Sequence, residues 1–220
     1  MFAGVAPRYD LGNRLLSFGR DRSWRRAAAL AAALRPGERA LDACAGTGDL
    51  ASELAARGAR VVALDFCPEM IARGSGRAAR ARASFRFVLG DVLSLPFPAE
   101  TFEVATIAFG LRNLAEPLLG LRELKRVLRP GGRLVVLEFA DPSPGLFGSL
   151  YRAYARRLLP VLGGWITGRR EAYEYLPRTV FAFGGGGAVA RAMEGVGLSP
   201  VTVRSLTGGI VACVRGVKGA

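Results

Sequence analysis

The chain contains no histidine, and only two of its 31 basic residues, Lys125 and Lys218, are lysines. Its three cysteines, Cys44, Cys67 and Cys213, are scattered and form no CxxC pair. The missing histidine removes every mechanism that uses an imidazole as base or as partner to a nucleophile. With this cysteine spacing, it also removes a zinc site of ordinary composition. No apolar run nears the roughly 18 residues needed to span a bilayer; the longest candidate, residues 27–34, is eight residues and mostly alanine. The N-terminus lacks the charged, apolar and small-residue succession of a secretory leader, and no segment reads as a charged disordered tail. The expectation is an intracellular, cytoplasmic protein.

What the chain has in excess is arginine. Set against 18 acidic residues, the basic ones leave a formal net charge of +13, concentrated in residues 8–26, 73–86 and 152–178. Such a surplus suits attraction to nucleic acid or to anionic lipid headgroups; the plainer alternative is a solvated arginine-rich surface. No ribonucleoprotein signature or aromatic-interleaved basic strand accompanies it, so an RNA-binding module is the weaker reading.

A length of 220 residues fits one domain with a real core. Asp21 or Ser23 is placed to cap a helix over 24–34, which Pro36-Gly37 ends. Strands are predicted over 39–43, 60–64, 85–89, 102–108 and 133–139. Helices are expected over 49–57, from Pro68 onward, and along the Leu118, Leu121, Leu124, Leu128 stripe, closed by Pro130-Gly131-Gly132. Five β-α repeats with short loops imply a parallel sheet with helices on both faces. Beyond them, helices are expected over 146–159, 169–176 and 188–196, the last after a flexible break at residues 184–187. Two strands over 200–205 and 210–215, joined by Thr207-Gly208-Gly209, form an antiparallel hairpin. The fold class is α/β, Rossmann-like, with a mostly parallel seven-stranded sheet. One domain is expected over 1–220: an N-terminal helical segment (1–36), an α/β core (37–140), a helical insert (141–183), and a C-terminal helix and hairpin (184–220). No repeat of 20–50 residues is present.

The chemistry concentrates at LDACAGTGDL, residues 41–50, and at VVALDF, which carries Asp65, 17 residues beyond Gly48. Glycines let the backbone approach a ligand closely, and a carboxylate at the next strand end can accept both ribose hydroxyls of an adenosine. GxGxxA is satisfied by residues 46–51, which admits a nicotinamide dehydrogenase. Against that, about 40 residues precede the first strand, and Asp49 stands where a pyrophosphate wants bare N–H groups. A phosphate-free, cationic adenosine ligand tolerates it.

Residues 42–48 (DACAGTG) resemble the DxGxGxG motif of class I S-adenosylmethionine-dependent methyltransferases, with Cys44 in place of the first glycine. Asp65, Gly90-Asp91-Val92 and LRPGG at 128–132 follow in family order. Further matches are similar to the ubiquinone/menaquinone biosynthesis C-methyltransferases: Tyr9-Asp10 with Asn13, LLSFGRDRSW (15–24), AFGLRN (108–113), LEF (137–139), Leu159-Pro160, YEYL (173–176) and LTGGIVA (206–212). The residue run at 184–187 departs from that pattern. The resemblance implies S-adenosylmethionine as cofactor. Asp42, Gly46, Thr47 and Gly48 would lie at its methionine end, Asp65 at the ribose, Asp91 and Val92 at the adenine, and Ala108 at the close of the fourth strand. It further implies methyl transfer to a ring carbon of a prenylated quinol, with demethylmenaquinol the leading substrate and the ubiquinone benzoquinol precursor the alternative. Arg112 would stabilise the phenolate, Asn113 would position a quinol oxygen, Asp141 would take or relay the proton, and Tyr9 and Tyr154 would line the ring pocket. The alternatives are a cap or salt-bridge role for Arg112 and plain packing for the tyrosines. Leu146, Leu150, Tyr151, Tyr154 and Leu158, with Arg152, Arg156 and Arg157 beside them, form either a greasy entrance facing an anionic membrane surface or a lid packed on the core. Peripheral contact with the inner face of the membrane and a homodimer both stay open.

Overall fold

The computed structural model describes residues 17, 19–80, 85–142, 145–158, 179–180 and 183–220. Tyr9, Asp10, Asn13, Leu159-Pro160, the helix expected over 169–176 and the YEYL motif lie outside the described residues, as do the side chains of Arg156 and Leu158.

Apolar runs fed by short glycine-containing turns give the strands β1 (Arg39–Ala43), β2 (Arg60–Asp65), β3 (Phe85–Leu89), β4 (Phe102–Ala108) and β5 (Leu128–Phe139). Helices α1 (Asp21–Ala31), α2 (Asp49–Ala55), α3 (Pro68–Arg80) and α4 (Pro117–Val127) precede or separate them. Then come α5 (Leu146–Ala153), continued by a π-helical turn over Tyr154–Leu158, and α6 (Gly185–Gly195). The hairpin is β6 (Leu198–Leu206) and β7 (Val211–Lys218). The sheet is seven-stranded in the order β3-β2-β1-β4-β5-β7-β6, with β7 inserted antiparallel between β5 and β6. Strand order reverses between β1 and β4, both parallel, and the crevice outside their carboxyl ends is where open α/β sheets bind ligands.

Both faces are covered, which is why the parallel strands are apolar throughout. Leu41, Leu64, Ile107, Leu134 and Val136 pack under α4 and α6. Ala40, Val61, Ala63, Val104 and Leu137 pack under α1 and α2 through Trp24, Ala28, Leu50 and Leu54.

Four expectations need correction. Helix α1 begins at Asp21 and has no side-chain cap; Asp21 instead exchanges hydrogen bonds with Ser17 Oγ. It ends at Ala31, short of Leu34, because Ala33 turns left-handed (φ 47°) and the Arg133 guanidinium takes the carbonyls of Ala32 and Ala33. Leu128 already pairs with Phe102, and the register then jumps to Val104 opposite Arg133. LRPGG therefore opens β5 as a bulge, and the helix stops before it. Finally, the glycines after Gly184 belong to the first turn of α6. A Cβ on Gly186 would stand 2.6 Å from Ala212 Cβ, so the bare backbone lets the helix rest on the hairpin.

Candidate active site

The loop after β1 is built from residues in left-handed conformation: Cys44 (φ 52°), Gly46 (φ 56°) and Gly48 (φ 83°). Glycine takes such angles freely, whereas Cys44 adopts them at a cost of about 1–2 kcal/mol. Its side chain faces Gly110 in the bend after β4, where a Cβ would lie 2.6 Å from Cys44 Cβ and 3.0 Å from Sγ. The thiol thus occupies the space Gly110 leaves, and burial pushes its pKa up.

Asp65 pins this loop to the end of β2. One carboxylate oxygen accepts from Gly46 N (2.7 Å) and the other from Cys67 N (2.9 Å). Burial raises its pKa, and the amides of Cys67, Gly46 and Phe66 pull it back. Three donors leave the carboxylate at least one lone pair for a further donor. Beside it, Phe66 is 60% exposed and Leu89, paired with Asp65 across β2–β3, is 59% exposed. Asp91 lies exposed with Oδ1 accepting from Leu93 N (2.9 Å), next to buried Val92. The carboxyl ends of β2 and β3 therefore offer a carboxylate beside an open apolar surface, which suits a ribose and a purine. Phe66 was missed by sequence reasoning; an aromatic directly after a strand-end aspartate was the available signal.

Asp42, Thr47 and Asp49 are each engaged within the protein. Asp42 is buried beneath the loop, where Thr106 Oγ1 donates to Oδ1 (2.7 Å) and Oδ2 has no partner among the described residues. Burial pushes its carboxyl up to about 7, against the pull of Thr106 and Arg25. The carboxyl is thus placed beneath the loop rather than at its surface. Thr47, also buried, accepts from Arg77 Nη1 (3.1 Å). The same guanidinium pairs with Asp49 at 2.5 Å. The Asp49 charge is thus offset by Arg77 and does not by itself attract a cation.

On the other side of the crevice, Ala108 ends β4 and Phe109 turns left-handed (φ 58°) into the 3-10 turn Leu111–Asn113. Arg112 is 8% exposed and pairs at 2.5 Å with Glu138, which is 1% exposed. Its Nη1 also donates to Phe109 O (2.8 Å), and its Cζ lies 5.3 Å from the Phe139 centroid. Asn113 Nδ2 donates to the same carbonyl (3.1 Å), leaving a buried Oδ1 without a partner among the described residues. This geometry is the salt-bridge alternative for Arg112: its charge is engaged by Glu138. Phe109 and Phe139 (4.6 Å) and Trp24 (6.2 and 6.1 Å from them) form an aromatic cluster, and Trp24 Nε1 donates to Thr207 Oγ1 in the hairpin turn (2.8 Å).

After β5, half-exposed Asp141 pairs with Arg152 (3.1 Å). The Tyr151 and Tyr154 rings lie 6.4 Å apart. Burial pushes Tyr151 up to about 12, with Tyr154 and Asp141 adding to it, and raises Tyr154 as well. Both phenols keep their protons at neutral pH.

This two-sided crevice can be set against known proteins. The model of the ubiE/COQ5 methyltransferase family matches residues 1–218. The chain belongs to this family. As such it is an S-adenosylmethionine-dependent methyltransferase. It is similar to the demethylmenaquinone methyltransferase of Thermus thermophilus, 50% identical over 214 residues (96% of this chain, 97% of that protein). It is likewise similar to that of Deinococcus radiodurans, 46% identical over 220 residues (99% and 91%). Among solved structures, a SAM-dependent methyltransferase from Aquifex aeolicus shares the fold, with a TM-score of 0.60, 21% identity and 84% coverage of both chains. In the ubiE/COQ5 family member described here, the residues present fit the cofactor. The loop is tied to Asp65, which keeps a lone pair for a further donor, and the Phe66 ring is exposed beside it.

Proposed function

We propose that this enzyme methylates a ring carbon of demethylmenaquinol. What supports the reading is that the Asp65-tied loop and the Phe109–Asn113 bend, the two halves of the crevice, sit in a chain matching demethylmenaquinone methyltransferases nearly end to end. When bound, S-adenosylmethionine supplies an electrophilic methyl on a sulfonium.

The protein's own contribution is alignment more than covalent help. Gly46, Thr47 and Gly48 form the floor for the methionine end, and Asp42 supports them from below. Asp65 accepts from the ribose hydroxyls, each such bond contributing about 1.5–3 kcal/mol. Phe66, Leu89, Asp91 and Val92 receive the adenine, and Ala108 borders the path of the methyl. Arg112 acts as a positioning residue: with Glu138 it holds Phe109 in its left-handed bend. Asn113 presents an uncommitted acceptor to a ring hydroxyl. The new bond joins the methyl carbon to the ring carbon as the sulfonium C–S bond breaks. The proton then lost from that ring carbon goes to Asp141, with Tyr154 beside the ring.

The prenyl tail of the substrate lives in a bilayer, and among the described residues no helix is long and apolar enough to cross one. On α5, Leu146 is 79% exposed and Leu150 one turn later is 62% exposed, with Arg157 exposed in the following turn. We assign this strip to peripheral contact with anionic lipid.

The decisive experiment incubates the purified chain with S-adenosylmethionine and demethylmenaquinol in vesicles and reads the quinone mass. Gain of one methylene is expected. An unchanged mass, or methylation of the ubiquinone precursor alone, refutes the substrate assignment.

A further inference from the structure

We propose that Arg25 holds the α-carboxylate of the sulfonium cofactor, so that helix α1 completes the cofactor site. The inference deepens the cofactor reading above and rests on it.

Arg25 lies in the second turn of α1, with a side chain only 11% exposed. Its Nη1 donates to the Asp21 carboxylate (3.1 Å) and, more weakly, to the Asp21 carbonyl (3.4 Å). Among the described residues, Nε and Nη2 donate to nothing. Its Cζ stands 5.4 Å from the centroid of Phe109, the residue that leaves β4 at the edge of the crevice. Trp24, its neighbour in the chain, is wedged against Phe109 and Phe139. That wedge fixes the side of the bend on which Arg25 stands. Helix α1 also packs on α2, whose first residue follows the glycine loop directly. The guanidinium is close enough to the loop for the buried Asp42 beneath it to feel its charge.

The ligand's chemistry calls for a cation here. The aminobutyrate end of S-adenosylmethionine carries an ammonium and a carboxylate. Asp65 makes the loop hospitable to positive groups, and it cannot receive the carboxylate. The neighbouring cations are committed elsewhere: Arg77 to Thr47 and Asp49, and Arg112 to Glu138 and the Phe109 carbonyl. Asp21 braces Arg25 from one side and leaves the Nε/Nη2 edge, the geometry that grips a carboxylate bidentately.

The test compares S-adenosylhomocysteine with its decarboxylated analogue, which keeps the ammonium, by calorimetry on the full chain and on Arg25→Met and Arg25→Lys. The unaltered protein should prefer S-adenosylhomocysteine, and Arg25→Met should weaken that ligand by about 10- to 100-fold while changing the analogue, which lacks the carboxylate, far less. Arg25→Lys, keeping the charge without the fork, should fall between. Binding of the analogue reports that the variant is folded, and Arg25→Lys carries the comparison if Arg25→Met does not fold. Equal losses for both ligands would mean a purely structural role and overturn the assignment. So would unchanged S-adenosylhomocysteine affinity with a raised KM for the quinol, which would turn Arg25 toward the quinol oxygen instead. If the unaltered protein binds neither ligand, the cofactor reading itself falls, and the Arg25 assignment with it.

Discussion

Gly110→Ala isolates one contact between the two halves of the site. Gly110 has φ −104° and ψ −35°, angles any residue adopts, so alanine meets no backbone penalty there. The whole cost is steric: the new Cβ would sit 2.6 Å from Cys44 Cβ, 3.0 Å from its Sγ and 3.1 Å from Ile107 Cγ1. Cys44 cannot swing away without moving the left-handed loop. Overpacking of this kind costs about 1–3 kcal/mol, and about 2 kcal/mol in a chain of this size lowers Tm by roughly 4–8 °C. Cys44→Gly alone should be nearly neutral, because relief of about 1 kcal/mol of left-handed strain offsets the lost thiol packing. In that background the methyl at position 110 has room, so the double variant should recover the loss, with a coupling of about 2 kcal/mol. Thermal and urea unfolding of the four proteins, with S-adenosylhomocysteine affinity measured alongside, completes the cycle. The affinity should fall with Gly110→Ala and return in the double variant, since Cys44 opens the cofactor loop. If Gly110→Ala costs the same in both backgrounds, the two residues do not share this space and the reasoning fails.

Arg112→Ala should destabilise by about 3–5 kcal/mol, because it leaves Glu138 charged and unpaired in the core; adding Glu138→Gln should restore the melting temperature without restoring turnover, and restored turnover would show the pair to be structural only. Asp42 gives a pH signature. Its folded pKa, pushed up to about 7, exceeds its unfolded value. The folded state therefore binds the extra proton, and stability should decline as pH rises from about 4 to about 7, then level off. Asp42→Asn should be more stable than the parent at pH 8, by a few kcal/mol at most, with the gap closing toward pH 4; a gap independent of pH in urea titrations would contradict the buried carboxyl. Phe66→Ala should weaken S-adenosylhomocysteine binding about tenfold, in line with the loss of one large apolar contact, without lowering Tm, because the ring is exposed; unchanged affinity removes Phe66 from the adenine site. Asp49→Asn should change that affinity less than about threefold, a surface-pair effect, and a larger loss in calorimetry would mean that Arg77 does not screen it.

Much of the fold is written in local pattern. β1, β3 and β4 fall on the apolar runs that lead into the glycine-containing turns at Gly46, Gly90 and Gly110, and the order of elements follows from short β-α loops. What pattern does not carry is who pairs with whom across long separations. Nothing local says that Arg133 ends α1 a hundred residues earlier, that Arg77 reaches back to Asp49, or that Glu138 claims Arg112. The last two are tertiary ion pairs between arginines and carboxylates, of which the sequence offers many combinations, and the first is a guanidinium on main-chain carbonyls. The positions of Asp65 and of the Phe109–Asn113 bend were legible because they sit at strand ends. The engagement of Arg112 was not, because a cation available to substrate and one buried against a carboxylate look identical in sequence.

The same distinction changes the reason this loop favours a phosphate-free ligand. Asp49 alone would repel a pyrophosphate, yet Arg77 offsets its charge. The stronger ground lies in the backbone. A dinucleotide loop offers bare amides to phosphate oxygens, whereas here Ala45 N already donates to Leu64 O (3.0 Å), Gly46 N to Asp65 (2.7 Å) and Gly48 N to Ala45 O (2.9 Å). A phosphate would have to break these bonds and then sit against the Asp65 carboxylate it had displaced. A sulfonium with its ammonium asks for none of those amides. Selection against the dinucleotide is therefore set by where the loop's own N–H groups are spent, and only secondarily by the count of acidic residues around it.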